Sequence, residues 1–140
     1  MKILLAVDGS DYTKRMLSYL GTHAEALGSK NTYGVFHVVL PVPPHAASFV
    51  SGSTLRGYYE DEAKQVLDPI RALLAEKGIQ AEYAHRAGNA ADEIADFAQA
   101  GNYDLVIMGS HGHGALSNLV LGSVATKVLA RCNVPVLLVR

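Results

Sequence analysis

Asp104-Leu105-Val106-Ile107-Met108-Gly109-Ser110-His111-Gly112, with Gly122-Ser123 arriving after nine intervening residues, decides the reading of this chain. Leu105 to Met108 is a short, continuous apolar run of the kind that parallel sheets bury on both faces. The glycines that follow leave backbone N–H groups unshielded and free to adopt positive φ. A helix starting near Gly122 points its unpaired N-terminal donors and its dipole at the same space. The pattern therefore predicts a phosphate cradle at the end of a buried strand. It is neither the G-x-G-x-x-G of dinucleotide folds nor G-x-x-x-x-G-K-[ST], so a third kind of anion site is required.

Working outward, the rest of the chain alternates strands with helices. Ile3 to Val7 reads as the first strand, and Asp8-Gly9-Ser10-Asp11 as a turn that starts a helix over Tyr12 to Leu27. Met16, Leu17, Leu20, Ala24 and Leu27 supply that helix with an apolar stripe, and Gly28 ends it. Thr32 to Leu40 is a second strand, closed by Pro41-Val42-Pro43-Pro44. Pro41 to Ser53 reads as a mobile surface loop, a candidate lid. Leu55 to Lys77 is helical, with Pro69 expected to kink it and Gly78 to stop it. Ile79 to Ala87 reads as a third strand toward a sheet edge, followed by a helix from Gly88-Asn89-Ala90-Ala91 to Ala100. A last helix begins at Gly122 or Ser123 and runs to about Arg131, before a final strand over Val134 to Val139. The order βαβαβαβαβ predicts an α/β fold, a doubly wound three-layer α/β/α sandwich around a parallel sheet, in one domain over residues 1–140.

Composition narrows the partners. The chain has 140 residues, 49% hydrophobic and 18% charged, with a net charge of -1. That balance argues against general attraction to nucleic acid or anionic lipid, so an anion site must be local. There is no Trp, and Tyr and Phe do not interleave with basic residues, which speaks against a stacking platform for single strands. Met1-Lys2 runs directly into Ile3-Leu4-Leu5-Ala6-Val7, too short for a signal peptide or a membrane span, and predicts a cytoplasmic protein. Cys132, the lone cysteine, reads as an inert, half-buried thiol.

In doubly wound sheets ligands bind beyond the carboxyl ends of the strands, where strand order reverses. Asp8 follows the first strand and the glycine loop follows the fourth, so neighbouring strands would place them on one crevice. The Asp8 carboxylate either shapes its own turn or accepts hydrogen bonds from a ribose diol, or holds phosphates through a metal. Gly109 and Gly112 allow close approach to a sugar or α-phosphate, while Gly122 and Ser123 place donors at further phosphates, Ser123 also capping its helix. The bland reading of the same glycines is a tight strand-to-helix connection. His111 and His113 lack a third ligand at motif spacing, which argues against zinc. Their imidazoles are expected to touch phosphate, with affinity falling as pH rises through about 6.5. His37 reads as a packed strand residue.

These residues resemble the universal stress proteins, specifically their nucleotide-binding branch, over essentially the full chain. The resemblance rests on Val7-Asp8-Gly9-Ser10, His37-Val38, Gly88-Asn89-Ala90-Ala91, the G-2x-G-9x-G-[ST] loop and the closing Val134-Pro135-Val136-Leu137-Leu138-Val139. It implies an adenine nucleotide alpha hydrolase-like fold with strand order 3-2-1-4-5, ATP or AMP in the crevice, and a homodimer paired through Val136 to Val139. By the same resemblance Asp8 contacts the ribose or adenine region and Val38 lines the adenine pocket. Met108, Gly109 and Gly112 contact adenosine and the α-phosphate, and Gly122, Ser123 and Val124 the remaining phosphates. Ala6, Val7, His111 and His113 complete the expected set, and Asp8 meets a metal only through nucleotide-bound Mg²⁺. Between the glycines, where relatives commonly carry basic residues, this chain has His111, His113, Ser117 and Asn118. Neutralising a triphosphate is then left to backbone donors, a metal or Lys127, which makes AMP a serious candidate. An apolar edge strand at Val136 to Val139 also needs cover, and isologous pairing provides it.

The expected function is a regulatory, non-enzymatic nucleotide-binding homodimer in stress response. The alternatives are a slow ATP hydrolase, which lacks an evident general base, and a nucleotide-free dimeric adaptor that presents the Pro41 to Ser53 loop. A phosphoacceptor receiver domain fits poorly, because Ala87-Gly88 stands where an accepting Asp is needed and the chain stops at Arg140.

Overall fold

The computed structural model describes residues 1–114 and 118–140. Its elements are β1 (Lys2–Val7), α1 (Asp11–Thr22), α2 (Ala24–Leu27), β2 (Thr32–Val39), α3 (Pro44–Ala47), α4 (Gly52–Glu76), β3 (Ala81–Ala87), α5 (Ala90–Ala100), β4 (Leu105–Gly109), α6 (Ser123–Arg131) and β5 (Val136–Val139). The five strands form one sheet in the order β3-β2-β1-β4-β5. Every pairing is parallel, with Ala6 opposite Phe36 on one side and Met108 on the other.

Alternation along β1 explains the three layers. Ile3, Leu5 and Val7 point to one face, where they meet Met16, Leu17 and Leu20 of α1 and Leu67, Ile70 and Leu74 of α4. Leu4 and Ala6 point to the other, against Ile94 and Ala98 of α5 and Val128 of α6. A strand apolar at every position is stable only with both faces covered. Each of these large side chains contributes roughly 1.5–3 kcal/mol when fully buried.

Several boundaries depart from the sequence reading, each for a local reason. The helix expected over Tyr12 to Leu27 breaks at His23, whose backbone N–H and ring Nδ1 both bond the Tyr19 carbonyl while the ring stacks on Tyr19. Ala24, placed on the apolar stripe by its spacing, is exposed as a result. The Pro41 to Ser53 stretch is held rather than free. Pro44 opens the single turn of α3, the Val42 N–H donates to the Tyr59 hydroxyl at 3.0 Å, and Ser51 Oγ caps α4 by accepting from the Thr54 N–H. That cap moves the start of α4 to Gly52, ahead of the expected Leu55. Pro69 lies inside α4 on its exposed side, and the helix runs on past it to Glu76, in keeping with the expected helix to Lys77. Gly78, at φ +69, terminates the segment as expected, with the Ile79 N–H bonded to the Leu74 carbonyl. β3 lies at the sheet edge and starts at Ala81, and β5 starts at Val136, both two residues later than expected. Among the described residues, no helix is long and apolar enough to cross a membrane.

Candidate functional site

β1 has β2 on one side and β4 on the other, so the connections leaving β1 and β4 diverge and open a crevice at their carboxyl ends. A cavity of about 460 Å³ occupies it, within the range of small-ligand sites. All twelve residues named from the sequence as ligand contacts line this cavity, from Ala6 and Val38 on one wall to Val124 on the other.

Asp8 combines its two expected roles. Its Oδ1 accepts from the Ser10 N–H and the Thr13 hydroxyl, both at 2.9 Å, and Thr13 Oγ1 in turn accepts the Asp8 N–H at 3.1 Å. Gly9, at φ +77, makes the turn that allows this. With Oδ1 occupied, Oδ2 faces the glycine loop: a Cβ on Gly112 would lie 2.7 Å from it. The carboxylate shapes the loop with one oxygen and offers the other to the crevice.

The glycines act through close approach, not through positive φ as the sequence suggested. A Cβ on Gly109 would meet the Tyr12 Cβ at 2.6 Å, and one on Gly122 the His111 Cα at 3.0 Å. Among the described residues of this loop, only Gly114 takes the left-handed conformation, at φ +68. The donors also shift by one position. The Gly122 N–H is committed to the Ser110 carbonyl at 2.7 Å, and Gly122, not Ser123, is the N-cap of α6, with Ser123 its first helical residue. The first helical bond runs from the Thr126 N–H to the Gly122 carbonyl. The N–H groups of Ser123, Val124 and Ala125, residues that all line the cavity, have no partner among the described residues. Such a first turn is a ready anion site.

Both loop histidines are engaged elsewhere than expected. His111 Nε2 lies 2.8 Å from the Leu119 carbonyl, which can only accept, so Nε2 carries the proton and Nδ1 is left to accept from the Ser110 hydroxyl at 2.9 Å. Its ring packs on Tyr12 at 4.9 Å. His113 donates from Nε2 to the Asp8 carbonyl at 2.8 Å. Neither ring therefore turns its Nε2–H toward a phosphate. His37 is a packed strand residue, its Nδ1 bonded to the Val7 carbonyl at 2.8 Å. Burial pushes its imidazole below the ordinary histidine value, against the opposing pull of that carbonyl and of Asp8.

Among the described residues no Lys or Arg lines the cavity, and Lys127 is exposed on α6. No group of three or more potential metal ligands occurs among them either. Ser117 lies outside the described residues. None of residues 40–53 lines the cavity, so the proposed lid does not cover it. Thr13, Ala90, Ile94, Gly114, Leu119 and Ala125 line it without having been singled out from the sequence. Thr13 had a readable signal, since it stands three and four residues before Met16 and Leu17 and is thus a polar group on a buried stripe.

A five-stranded parallel sheet ordered 3-2-1-4-5 with helices on both faces is the adenine nucleotide alpha hydrolase-like fold. The chain belongs to the universal stress protein family, whose family model matches residues 1–140. It is 35% identical over 143 residues to the universal stress protein in the QAH/OAS sulfhydrylase 3'region of Thermus aquaticus, covering 99% of this chain and 97% of that one. Protein MJ0577 of Methanocaldococcus jannaschii superposes with a TM-score of 0.77 at 27% identity, over 99% and 94% of the two chains. The universal stress protein of Archaeoglobus fulgidus, solved in complex with dAMP, gives 0.70 at 23% identity, over 100% and 98%.

Proposed function

We propose that the crevice binds an adenine nucleotide and that the protein, one domain of the cytoplasm, works as a nucleotide-responsive regulatory homodimer in stress response. The observation that carries this reading is that three N–H groups at the start of α6, without a partner among the described residues, and Asp8 belong to the lining of one cavity. Those donors suit phosphate oxygens, and the carboxylate oxygen suits a sugar hydroxyl. The dAMP held by the A. fulgidus relative supports the same ligand class. AMP fits better than ATP, because additional phosphates would meet no cationic side chain among the described lining residues. ATP would need Mg²⁺, which Asp8 reaches only through the nucleotide. Binding without turnover is favoured because phosphoryl transfer also needs a positioned nucleophile and charge stabilisation. Pairing through β5, an edge strand, would complete the homodimer.

Exposure of Phe49 (77%) and Val50 (45%) favours a second reading, a nucleotide-free dimeric adaptor that docks a partner on the Pro41 to Ser53 loop. Calorimetric titration of nucleotide-stripped protein with AMP and ATP, each with and without Mg²⁺, separates the two. Micromolar binding, about −8.2 kcal/mol, that Gly122→Val abolishes supports the nucleotide site. No heat from either nucleotide, with an empty pocket after native purification, overturns it in favour of the adaptor.

A further inference from the structure

We propose that the free edge of β3, with the groove it forms beside the last turns of α4, docks a partner protein through an extended segment that carries a carboxylate. This surface lies at the opposite end of the sheet from β5 and shares no lining residue with the nucleotide crevice, so it stands apart from that reading.

β3 pairs with β2 alone. The Gly88 N–H bonds the Val39 carbonyl at 3.2 Å, and Val39 stands opposite Ala87. In a parallel ladder this turns the backbones of Glu82, Ala84 and Arg86 toward β2 and those of Tyr83, His85 and Ala87 outward. Among the described residues no hydrogen bond reaches those three outward N–H groups. β3 spans seven residues against four in β5, and it contains no proline. A long open edge of this kind is a template for another strand. Pairing of β5 in a homodimer would leave it untouched.

The groove beside this edge selects charge. It measures about 480 Å³ and runs between Ala75 and Gly78 at the end of α4 and Tyr83 of β3, with Arg71 and Gln80 as polar groups. Tyr83 packs toward α4 and carries the Arg71 guanidinium over its ring at 4.0 Å. Stacking orients the guanidinium and leaves its N–H fork for a ligand. Among the described residues Arg71 forms no ion pair, although Asp68 and Glu76 flank it on α4. On the other face of β3, Arg86 is already paired with Glu93 at 3.1 Å. A strand added antiparallel to β3 would set alternate side chains over the α4 face, the one beside Tyr83 with its Cβ about 4.5–5.5 Å away. An Asp or Glu at that position meets the Arg71 fork in the bidentate geometry that a guanidinium favours. Backbone pairing supplies the affinity, and this contact the selectivity.

Amide exchange followed by nuclear magnetic resonance on the free protein tests the edge. Tyr83, His85 and Ala87 should exchange at least about tenfold faster than Ala84 and Arg86, whose N–H groups lie in the ladder. Slow exchange at all five overturns an open edge, and association that persists in Val136→Pro would then identify a second copy as its cover. A phage-displayed library of random decapeptides tests the partner. The wild type should enrich β-forming sequences with Asp or Glu at one fixed position, Arg71→Lys the same sequences more weakly, and Arg71→Glu sequences with Lys or Arg there. Arg71 is exposed, so both variants keep the fold. A synthetic copy of the best wild-type sequence should slow exchange at Tyr83 and His85 by about tenfold or more. His85→Pro deletes one outward N–H and none from the ladder, and should weaken that peptide about tenfold. No enrichment, the same sequences on wild type and Arg71→Glu, or protection elsewhere than on β3 overturns the proposal.

Discussion

Replacing Thr13 by Val tests how the crevice presents Asp8. Thr13 is 4% exposed and sits in the first turn of α1, where Val fits the same space with nearly the same helix propensity. The substitution removes the hydroxyl that donates to Asp8 Oδ1 at 2.9 Å and accepts the Asp8 N–H at 3.1 Å. The bond to the carboxylate is charge-assisted and worth roughly 1.5–3 kcal/mol, and the amide-to-hydroxyl bond roughly 0.5–1.5 kcal/mol. Burying the new methyl recovers about 0.8 kcal/mol. The balance is a loss of roughly 1–4 kcal/mol, centred near 2.5 kcal/mol. Urea unfolding of the nucleotide-free protein reads this directly. Among the described residues the Ser10 N–H remains as the only other donor on Oδ1, so the carboxylate rotates more freely and Oδ2 no longer faces Gly112 consistently. AMP affinity should fall about tenfold, which corresponds to 1.4 kcal/mol. Thr13→Ser keeps the hydroxyl and should stay close to the wild type on both measures. If Thr13→Val and Thr13→Ser show the same unfolding free energy and the same AMP affinity, the account of Asp8 given above is wrong.

Two further predictions address the core and the sheet edge. Because burial holds His37 below the ordinary value of 6.5, the unfolded chain takes up its proton first as pH falls. Its contribution is complete above about 6.5 and declines below that until the folded imidazole also protonates, so urea stability should drop as pH falls below about 6.5, with a flatter profile in His37→Gln. At β5, the Val106 N–H bonds the Pro135 carbonyl and the Ser110 N–H bonds the Val139 carbonyl, so in a parallel ladder the backbones of Leu137 and Val139 face β4 while those of Val136 and Leu138 face outward. Val136→Pro therefore removes an outward donor and spares the internal ladder; sedimentation velocity should show a wild-type dimer and a variant monomer with little change in melting temperature, and a monomeric wild type at tens of micromolar would refute the edge pairing.

The layers of this fold were legible because their signals are local. The apolar runs at Ile3 to Val7 and Leu105 to Met108 are periodic with the structure they form, and Gly78 stops α4 through its own backbone conformation. Where the reading failed, a side chain overrode its neighbours. His23 has an ordinary helical setting in sequence, yet its ring competes for the Tyr19 carbonyl and ends α1. Proline-rich composition likewise predicted mobility for residues 41–53, but the Tyr59 hydroxyl that anchors Val42 lies seventeen residues further along, and no spacing rule reports it.

The same division runs through the candidate site. Its cradle is made of backbone: glycines that permit close approach, and a helix N-terminus whose donors exist in any sequence that starts a helix there. Backbone chemistry is specified by spacing, and the G-2x-G-9x-G-[ST] loop announces it. What adjusts the cradle is made of side chains that meet only after folding: Thr13 on Asp8, and His113 on the Asp8 carbonyl from the far wall. A histidine in a glycine loop invites a phosphate-binding role when read in sequence, since nothing local distinguishes a ring aimed at a ligand from one aimed at a carbonyl. The strand order makes the difference, by bringing β4 beside β1 and so placing an acceptor within reach of the loop's tip. Family membership rests on the match over residues 1–140, whereas the setting of Asp8 depends on contacts from Thr13 and His113 that form only once the strands are ordered.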